Sequence, residues 1–266
     1  MNHILTIQDL SCVGRCSLTV ALPVLSAMGI RASCLPTAVL STHTAFPEPE
    51  TVSLTGSLVP FAEHWIRQGV EFDAISVGYL SDPEQAAAVC AILEHFSCPL
   101  ILDPVMGDGG RLYSRITPAH AEALRALCAR ADVVLPNVTE AACLAGVPYE
   151  ARPTEDNLRD LAGKLLALGA RAVVITGVQW DEDSIGWYFS DGTTSRVYRS
   201  GYIRRSFHGT GDLFAAVFAG SWVQGAAIPA AAEKAASFVR RCVEATEAVS
   251  PFGVEFEKEL PHLWND

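Results

Sequence analysis

Short apolar runs alternate with helix-like segments along the 266-residue chain. The apolar runs that predict buried strands are residues 4–9, 31–40, 74–79, 100–103, 133–135 and 172–176. Helices are predicted at 17–28, 57–68, 83–96, 118–129, 154–168, 211–224 and 230–247. Strands that are apolar on both faces and alternate with helices are typical of a parallel sheet covered on both sides. The sequence therefore predicts an α/β fold with a mostly parallel central sheet and helices on both faces.

A small β-hairpin is also predicted. Residues 185–189 and 195–198 have strand character and are joined through Asp191-Gly192, a pair that favours a tight turn. No linker, internal repeat or low-complexity segment interrupts the pattern. We therefore expect residues 1–266 to form a single domain.

Composition and charge exclude several classes of protein. Half of the residues are apolar and 18% are charged, which excludes a disordered chain. The net charge is −11 and no block of basic residues occurs, which argues against a nucleic-acid or anionic-membrane partner. No apolar run reaches the ~20 residues that span a bilayer. The eight cysteines lack any C-x-x-C pair, so we expect neither a disulfide framework nor a zinc site. We therefore expect a cytoplasmic location.

Several polar residues stand at or just past the ends of predicted strands. They are Asp9, Tyr79, Asp103, Asn137 and Thr176. In open α/β sheets the ligand crevice lies beyond the carboxyl ends of the strands. We therefore expect these residues to share one rim.

Residues 207–212 contain two glycines around a threonine, followed by an acid and an apolar helix. A helix that begins here presents unpaired N–H groups and the positive end of its dipole to an anion. Because residues 209 and 211 are glycines, they leave room for a phosphate to approach. Asp212 would repel that anion, unless it takes a proton from an attacking hydroxyl. The alternative is a Thr/Asp helix cap after a flexible turn.

Two more segments carry acids beside turns. Asp103 leaves an apolar strand and enters a glycine-rich loop, which suits a magnesium or phosphate site, although an Asp-Pro turn explains it equally. Asn137 follows another strand, and Glu140 is three residues further on. This spacing predicts a capping box, which would also aim Glu140 toward the rim.

Three motifs in this order resemble the ribokinase superfamily, and more narrowly the pyridoxal/pyridoxamine kinases. They are Asp103-Pro104-Val105-Met106-Gly107, Asn137-Val138-Thr139-Glu140 and Gly209-Thr210-Gly211-Asp212. Residues 4–8, 41–44 and 78–80 add to the resemblance, which covers essentially the whole chain. It implies a homodimeric kinase that uses ATP and Mg²⁺ to phosphorylate the 5′-hydroxymethyl group of a vitamin B6 vitamer. A requirement for a monovalent cation stays open.

The resemblance also implies roles at the site of transfer. Asp212 would be the general base, and Gly209, Thr210 and Gly211 would form an anion hole. Residues 107–113, with three glycines, would form a flap over the phosphates.

For the nucleotide, the resemblance implies that Asp103 and Glu140 organise Mg-ATP, largely through water, with Asn137 and Thr176 beside it. Thr176 stands where some relatives carry a nucleotide-contacting lysine.

For the vitamer, the resemblance implies that Thr44 and Tyr79 contact the pyridine ring. Asp9 replaces a serine that is common in relatives. It would hydrogen-bond the ring hydroxyl or nitrogen, or favour an amine-bearing vitamer. His208 would orient the loop or be structural, and the same alternatives apply to His43.

Rival functions are a hydroxymethylpyrimidine kinase of the same fold and a non-catalytic carrier of vitamer or nucleotide. The former commonly carries cysteine where Asp212 stands, and the acid also argues against the carrier. A P-loop enzyme and a serine hydrolase are excluded because their motifs are missing from the sequence. The three lysines lie outside the predicted rim, which argues against a Schiff-base enzyme that uses pyridoxal phosphate.

Overall fold

A computed structural model describes residues 1–248 and 250–264. The strands are β1 (His3–Ser11), β2 (Arg31–Leu40), β3 (Thr51–Ser53), β4 (Ala74–Val77), β5 (Leu100–Leu102), β6 (Gly107–Asp108), β7 (Arg111–Leu112), β8 (Val133–Val134), β9 (Val173–Gln179), β10 (Ser184–Ser190) and β11 (Ser195–Gly201). The helices are α1 (Leu18–Ala27), α2 (Thr55–Arg67), α3 (Glu84–Leu93), α4 (Pro118–Cys128), α5 (Val138–Ala145), α6 (Glu155–Leu168), α7 (Thr210–Val223) and α8 (Ile228–Ala245). A 3₁₀ helix follows at Leu260–Leu263.

The main sheet has the strand order β11-β10-β9-β8-β5-β4-β1-β2-β3. The six strands from β9 to β2 in this order pair in parallel, whereas β3, β10 and β11 pair antiparallel at the two edges. The predicted mostly parallel sheet is confirmed. The predicted hairpin is β10–β11, and it extends one edge of this sheet. A second hairpin, β6–β7, stands apart from the sheet.

Helices cover both faces of the sheet, as predicted. Alternate residues of β1 point to opposite faces. Leu5 and Ile7 are buried in one core with residues of α2 to α6, and Ile4 is buried in the other with residues of α1, α7 and α8. Full burial of such a side chain contributes about 1.5–3 kcal/mol. The strand ends that carry the site therefore rest on a rigid base.

Two strands extend further than the apolar pattern predicted. β1 continues past Asp9 to Ser11, and β9 continues past Thr176 to Gln179. The prediction that Asp9 and Thr176 stand at or past strand ends is therefore wrong. β1 extends because its polar residues remain paired with β2 across a register shift between Gln8 and Leu10. The prediction took each strand to be an apolar run, so it ended β1 at its first acidic residue.

The short helix α5 was predicted only through its cap. Its eight residues are too few for a helical period to emerge from the sequence. Tyr79 and Asp103 lie just beyond β4 and β5, as predicted.

Candidate active site

The N-terminus of α7 has no side-chain cap. Gly209 is its N-cap residue with φ of 86°, and it has no side chain that could satisfy the first N–H groups of the helix. A Cβ at Gly209 would lie 2.1 Å from the carbonyl oxygen of Arg15, whereas a Cβ at Gly211 would have no atom within 4 Å. This geometry differs from the alternative given by the sequence, in which Thr or Asp caps the helix. It leaves room for an anion at the first turn of α7.

Asp212 lies in this first turn and is partly buried. It lines a small cavity together with Asp103, Thr6 and Gln8, so the two acids share one enclosure. Burial raises the pKa of Asp212 to about 6, against the opposing effect of the Ser17 backbone N–H, and the charge of Asp9 raises it further. A carboxylate with this pKa is mainly ionised at neutral pH and binds a proton better than an ordinary aspartate.

Glu140 is 3% exposed, and its carboxylate accepts two backbone hydrogen bonds. The N–H of Met106 donates to Oε1 at 3.0 Å, and the N–H of Asn137 donates to Oε2 at 2.9 Å. Burial nevertheless raises the pKa of Glu140 to about 8. Burial also raises the pKa of Asp103, and the charges of Glu140 and Asp212 add to this shift. The rim therefore brings several acids together in a buried place, where their charged forms are disfavoured unless a cation binds.

The capping box predicted at the start of α5 is present. Asn137 Oδ1 accepts the N–H of Glu140 at 3.0 Å, which reciprocates the bond from Asn137 to Glu140. The Asn137 side-chain amide also donates to the Gly107 carbonyl at 2.8 Å. Thr176 forms a β-bridge with Asn137, and its N–H donates to Pro136 at 2.8 Å. These contacts join the ends of β8 and β9 to the base of the flap.

A magnesium ion fits the acids of this rim. Within residues 1–248 and 250–264, no group of three or more His, Cys, Asp or Glu side chains is arranged to hold a metal ion. Mg²⁺ does not require such a group, since it is commonly bound by one or two carboxylates, several waters and substrate phosphates. Asp103 and Glu140 supply two carboxylates whose ionisation is opposed by burial, and a divalent cation would favour their charged forms.

Residues 107–113, the segment predicted to form a flap, contain the β6–β7 hairpin, and contacts tie this hairpin to α5. The N–H of Gly110 donates to Thr139 Oγ1 at 2.9 Å, and the ring of Tyr149 lies so close that a Cβ on Gly110 would meet it at 2.6 Å. The sequence analysis did not identify Tyr113, which follows the hairpin. Burial raises the pKa of Tyr113, and the charges of Glu140, Asp108, Asp212 and Asp103 raise it further. Its phenol therefore lies near the rim acids.

Tyr79, just beyond β4, is buried, and Thr44 is exposed in the loop after β2. His43, beside Thr44, donates from Nε2 to the Pro251 carbonyl at 2.6 Å, and its Nδ1 accepts the N–H of Ala45 at 3.2 Å. The ring centroids of His43 and His208 are 5.1 Å apart. His43 thus joins the Thr44 loop to the loop that precedes α7.

Asp9 is 4% exposed, and both of its carboxylate oxygens accept hydroxyl hydrogen bonds. Ser17 Oγ donates at 2.5 Å and Ser11 Oγ at 3.0 Å. Burial raises the pKa of Asp9, while these two hydrogen bonds lower it. Asp9 thus lies behind the crevice surface and is bonded to the segment that begins α1.

Residues 250–254 form a segment that we call the C-terminal strap. It joins loops that are distant in the sequence. The Phe252 carbonyl accepts the N–H of Arg15 at 2.8 Å, the N–H of Val254 donates to the His208 carbonyl at 3.0 Å, and Pro251 accepts His43. The sequence analysis missed this strap, since these contacts are formed mainly by backbone groups and a single sequence carries no signal for them.

Residues 22–253 match the model of the phosphomethylpyrimidine kinase family. The chain belongs to this family. The resemblance read from the motifs is confirmed, and the chain is a kinase of the ribokinase superfamily. Within the described residues, no helix is long and apolar enough to cross a membrane.

Solved structures with the same fold include the pyridoxal kinase of Lactobacillus plantarum. It is 35% identical with a TM-score of 0.90 over 99% of this chain and 96% of that one. A Bacteroides thetaiotaomicron protein, provisionally named a phosphomethylpyrimidine kinase and crystallised with pyridoxal, is 35% identical. Its TM-score is 0.93, over 98% of this chain and 95% of that one. The hydroxymethylpyrimidine/phosphomethylpyrimidine kinase of Bacillus subtilis is 30% identical over 78% of this chain and 79% of its own length.

Proposed function

We propose that this kinase transfers the γ-phosphoryl group of ATP to the 5′-hydroxyl of a vitamin B6 vitamer: pyridoxal, pyridoxamine or pyridoxine. The observation that carries the proposal is the position of Asp212. It combines a pKa of about 6 with a place in the first turn of α7, where no side chain caps the helix and a Cβ on Gly211 would meet no atom within 4 Å. A base and an anion site so close together are what phosphoryl transfer to an alcohol requires.

In the proposed reaction, Asp212 accepts the proton of the vitamer hydroxyl as its oxygen bonds to phosphorus. Such general-base assistance typically contributes ~10²–10⁴-fold in rate. The N–H groups at 210–212, with the positive end of the α7 dipole, stabilise the negative charge of the phosphoryl group. Gly209 allows this turn to form, and Gly211 leaves the approach open.

Asp103 and Glu140 are proposed to hold Mg²⁺, largely through water, with Asn137 and Thr176 beside the nucleotide. When bound, Mg²⁺ supplies positive charge that offsets the charge of the phosphates. The chain has only three lysines, and it has threonine at position 176, where some relatives carry a nucleotide-contacting lysine. We therefore propose that backbone amides and carboxylate-held magnesium bind the triphosphate in this protein.

Thr44 and Tyr79 are proposed to contact the pyridine ring. The support is the resemblance of the surrounding motifs and the crystal form of the 35% identical Bacteroides relative that contains pyridoxal. The family resemblance further supports a cytoplasmic homodimer, which light scattering and cell fractionation would test.

Hydroxymethylpyrimidine phosphorylation is the second candidate. The description of the matching family and the 30% identical Bacillus subtilis enzyme favour it. Asp212 favours the vitamer, because pyrimidine kinases of this fold commonly carry cysteine at that position.

The experiment is a phosphorylation assay with Mg-ATP and a panel of pyridoxal, pyridoxamine, pyridoxine and hydroxymethylpyrimidine. We expect kcat/KM for at least one vitamer to exceed that for the pyrimidine well beyond tenfold. A higher value for the pyrimidine would assign the second function. Binding without phosphorylation of any compound would make the protein a carrier. Asp212→Asn, with intact binding, is the control for contaminating kinases.

A further inference from the structure

His43 is a buried histidine whose two ring nitrogen atoms both have partners within the protein. It is 4% exposed. Its Nε2 lies 2.6 Å from the Pro251 carbonyl oxygen, which can only accept, so Nε2 carries the proton. Its Nδ1 accepts the backbone N–H of Ala45 at 3.2 Å and is therefore unprotonated. The ring is thus neutral, and its orientation is set by one donor and one acceptor.

The His43 ring also packs against the loop that follows β1. A Cβ on Gly14 would lie 2.0 Å from the Cδ2 atom of His43, and Gly14 has φ of 110°, so this close approach requires glycine. The N–H of His43 donates to the Val13 carbonyl at 3.2 Å. The N–H of Arg15, in the same loop, donates to the Phe252 carbonyl of the C-terminal strap at 2.8 Å. His43 therefore contacts both the loop after β1 and the strap.

The same two segments hold the turn that begins α7. The N–H of Val254 in the strap donates to the His208 carbonyl at 3.0 Å. A Cβ on Gly253 would lie 2.9 Å from that carbonyl oxygen and 3.0 Å from the Arg15 carbonyl oxygen. A Cβ on Gly209 would lie 2.1 Å from the same Arg15 oxygen. Because the backbones of the three segments pack directly against one another, a displaced strap would displace Gly209 as well.

We propose that His43 is a positioning residue: its hydrogen bond from Nε2 to Pro251 holds the C-terminal strap in place, and the strap holds the Gly209 turn at the start of α7. This inference deepens the proposed function and rests on it. The N–H groups of that turn have no side-chain cap, so their position depends on the segments packed around them. A misplacement of about 1 Å at a site of reaction can lower the rate ~10²-fold.

The proposal differs from a direct contact between the His43 ring and the vitamer. Thr44, which is proposed to contact the pyridine ring, is the next residue in the chain. His43 would therefore connect the loop for the vitamer with the turn for the phosphoryl group, and its two ring nitrogen atoms would act within the protein.

The test uses two amide side chains of different length at position 43. In His43→Gln the amide nitrogen takes the place of Nε2 and can donate to Pro251. In His43→Asn the amide oxygen takes the place of Nδ1 and can accept from Ala45, but the side chain is too short to reach Pro251. We expect His43→Gln to keep kcat within about threefold of the wild type, and His43→Asn to lower it about tenfold with KM for the vitamer changed less than about twofold. The control is His95→Asn, at an exposed histidine after α3, which should change neither parameter.

The other outcomes of this pair would overturn the proposal. Equal losses in both variants with a raised KM for the vitamer would mean that the imidazole ring contacts the substrate. Wild-type kcat in both variants would mean that the bond to Pro251 is not needed. A loss in His43→Gln alone would assign the role to the bond with Ala45.

A double-mutant cycle then tests whether His43 acts through the strap. Gly253→Ala introduces a Cβ against the His208 and Arg15 carbonyls and should also lower kcat. Adding His43→Asn should cause little further loss, because both substitutions disturb the same segment. A loss equal to the product of the two single losses would overturn the proposal. If Gly253→Ala does not fold, the pair at position 43 still decides.

A second measurement does not depend on the substrate. In amide hydrogen exchange, the N–H groups of Arg15 and Val254 should exchange about tenfold faster in His43→Asn than in His43→Gln, while the amides of β1 keep their protection. Equal protection of Arg15 and Val254 in the two variants would refute the hold on the strap. Failure of the wild type to phosphorylate any vitamer would instead refute the proposed function, and the exchange result would stand by itself.

Discussion

Replacing Asp212 by asparagine removes one charge and preserves the shape of the side chain. At pH 7.5 a carboxyl with a pKa of about 6 is ionised in about 30 of 31 molecules, so nearly all of the wild type has its base available. We expect the single-turnover rate of phosphorylation to fall by ~10²–10⁴-fold in Asp212→Asn. In the wild type, kcat/KM should decrease tenfold per pH unit below about 6, whereas the residual activity of the variant should lack this limb.

The same substitution should stabilise the fold. The folded-state pKa of Asp212 is raised from 3.8 to about 6, so its ionisation opposes folding. That cost is fully present above pH 6 and disappears below the unfolded-state pKa. The shift corresponds to at most about 3 kcal/mol, and partial exposure of Asp212 to solvent reduces it. Thermal denaturation should therefore give a higher Tm for Asp212→Asn at pH 7.5 and an equal Tm near pH 3.

The assay pairs rapid-quench phosphorylation with calorimetric binding of nucleotide and vitamer. Asp156→Asn is the matched control, because Asp156 also lies in the first turn of a helix, α6, but is exposed. It should leave the rate unchanged. Near wild-type turnover in Asp212→Asn, with both ligands bound, would refute the general-base mechanism. A loss of turnover caused by lost binding would move the role of Asp212 from catalysis to ligand recognition.

Two further predictions follow from the loop glycines and from Glu140. Gly209→Ala should lower the free energy of unfolding by about 2 kcal/mol or more, measured by urea denaturation, because its Cβ would collide with the Arg15 carbonyl at positive φ. Gly211→Ala should leave stability within about 0.5 kcal/mol and raise KM for ATP, and equal destabilisation by both substitutions would contradict this geometry. Glu140→Gln should shift the Mg²⁺ titration of the rate to higher concentration with little change in Tm, because a Glu140 carboxyl with a pKa of about 8 is largely uncharged near neutral pH when no metal is bound, as glutamine is. An unchanged titration would leave Glu140 as a helix cap.

The sequence was sufficient to predict the layers of the fold and the positions of Tyr79 and Asp103 just beyond their strands. The apolar runs that alternate with helical patterns predict parallel strands. The carboxyl ends of parallel strands lie together at one edge of the sheet, whatever the details of packing. This is why Asp103 could be assigned to the rim, whereas Glu140 was directed toward it by the capping box and Asp212 was assigned to the site through the motif at the start of α7. The reciprocal bonds of Asn137 and Glu140 were also predictable, because a capping box is local.

The environment of Asp9 was not predictable from the sequence. Its hydrogen bonds depend on the backbone conformation of Ser17, which a serine rarely adopts, and local preference would not assign it there. The proximity of Tyr113 to the acids depends on how the flap packs against α5, which is a tertiary contact.

The C-terminal strap has a consequence for the order in which this enzyme matures during synthesis. A growing chain carries Asp103, Glu140 and Asp212 before it carries residues 250–254, which bond to Arg15, His43 and His208. Domains fold from the N-terminus as the chain emerges, at roughly 5–20 residues per second. The sheet can therefore assemble on the ribosome while the loops around the anion site still lack their last partners. We therefore expect kinase activity to appear only after residue 254 has emerged.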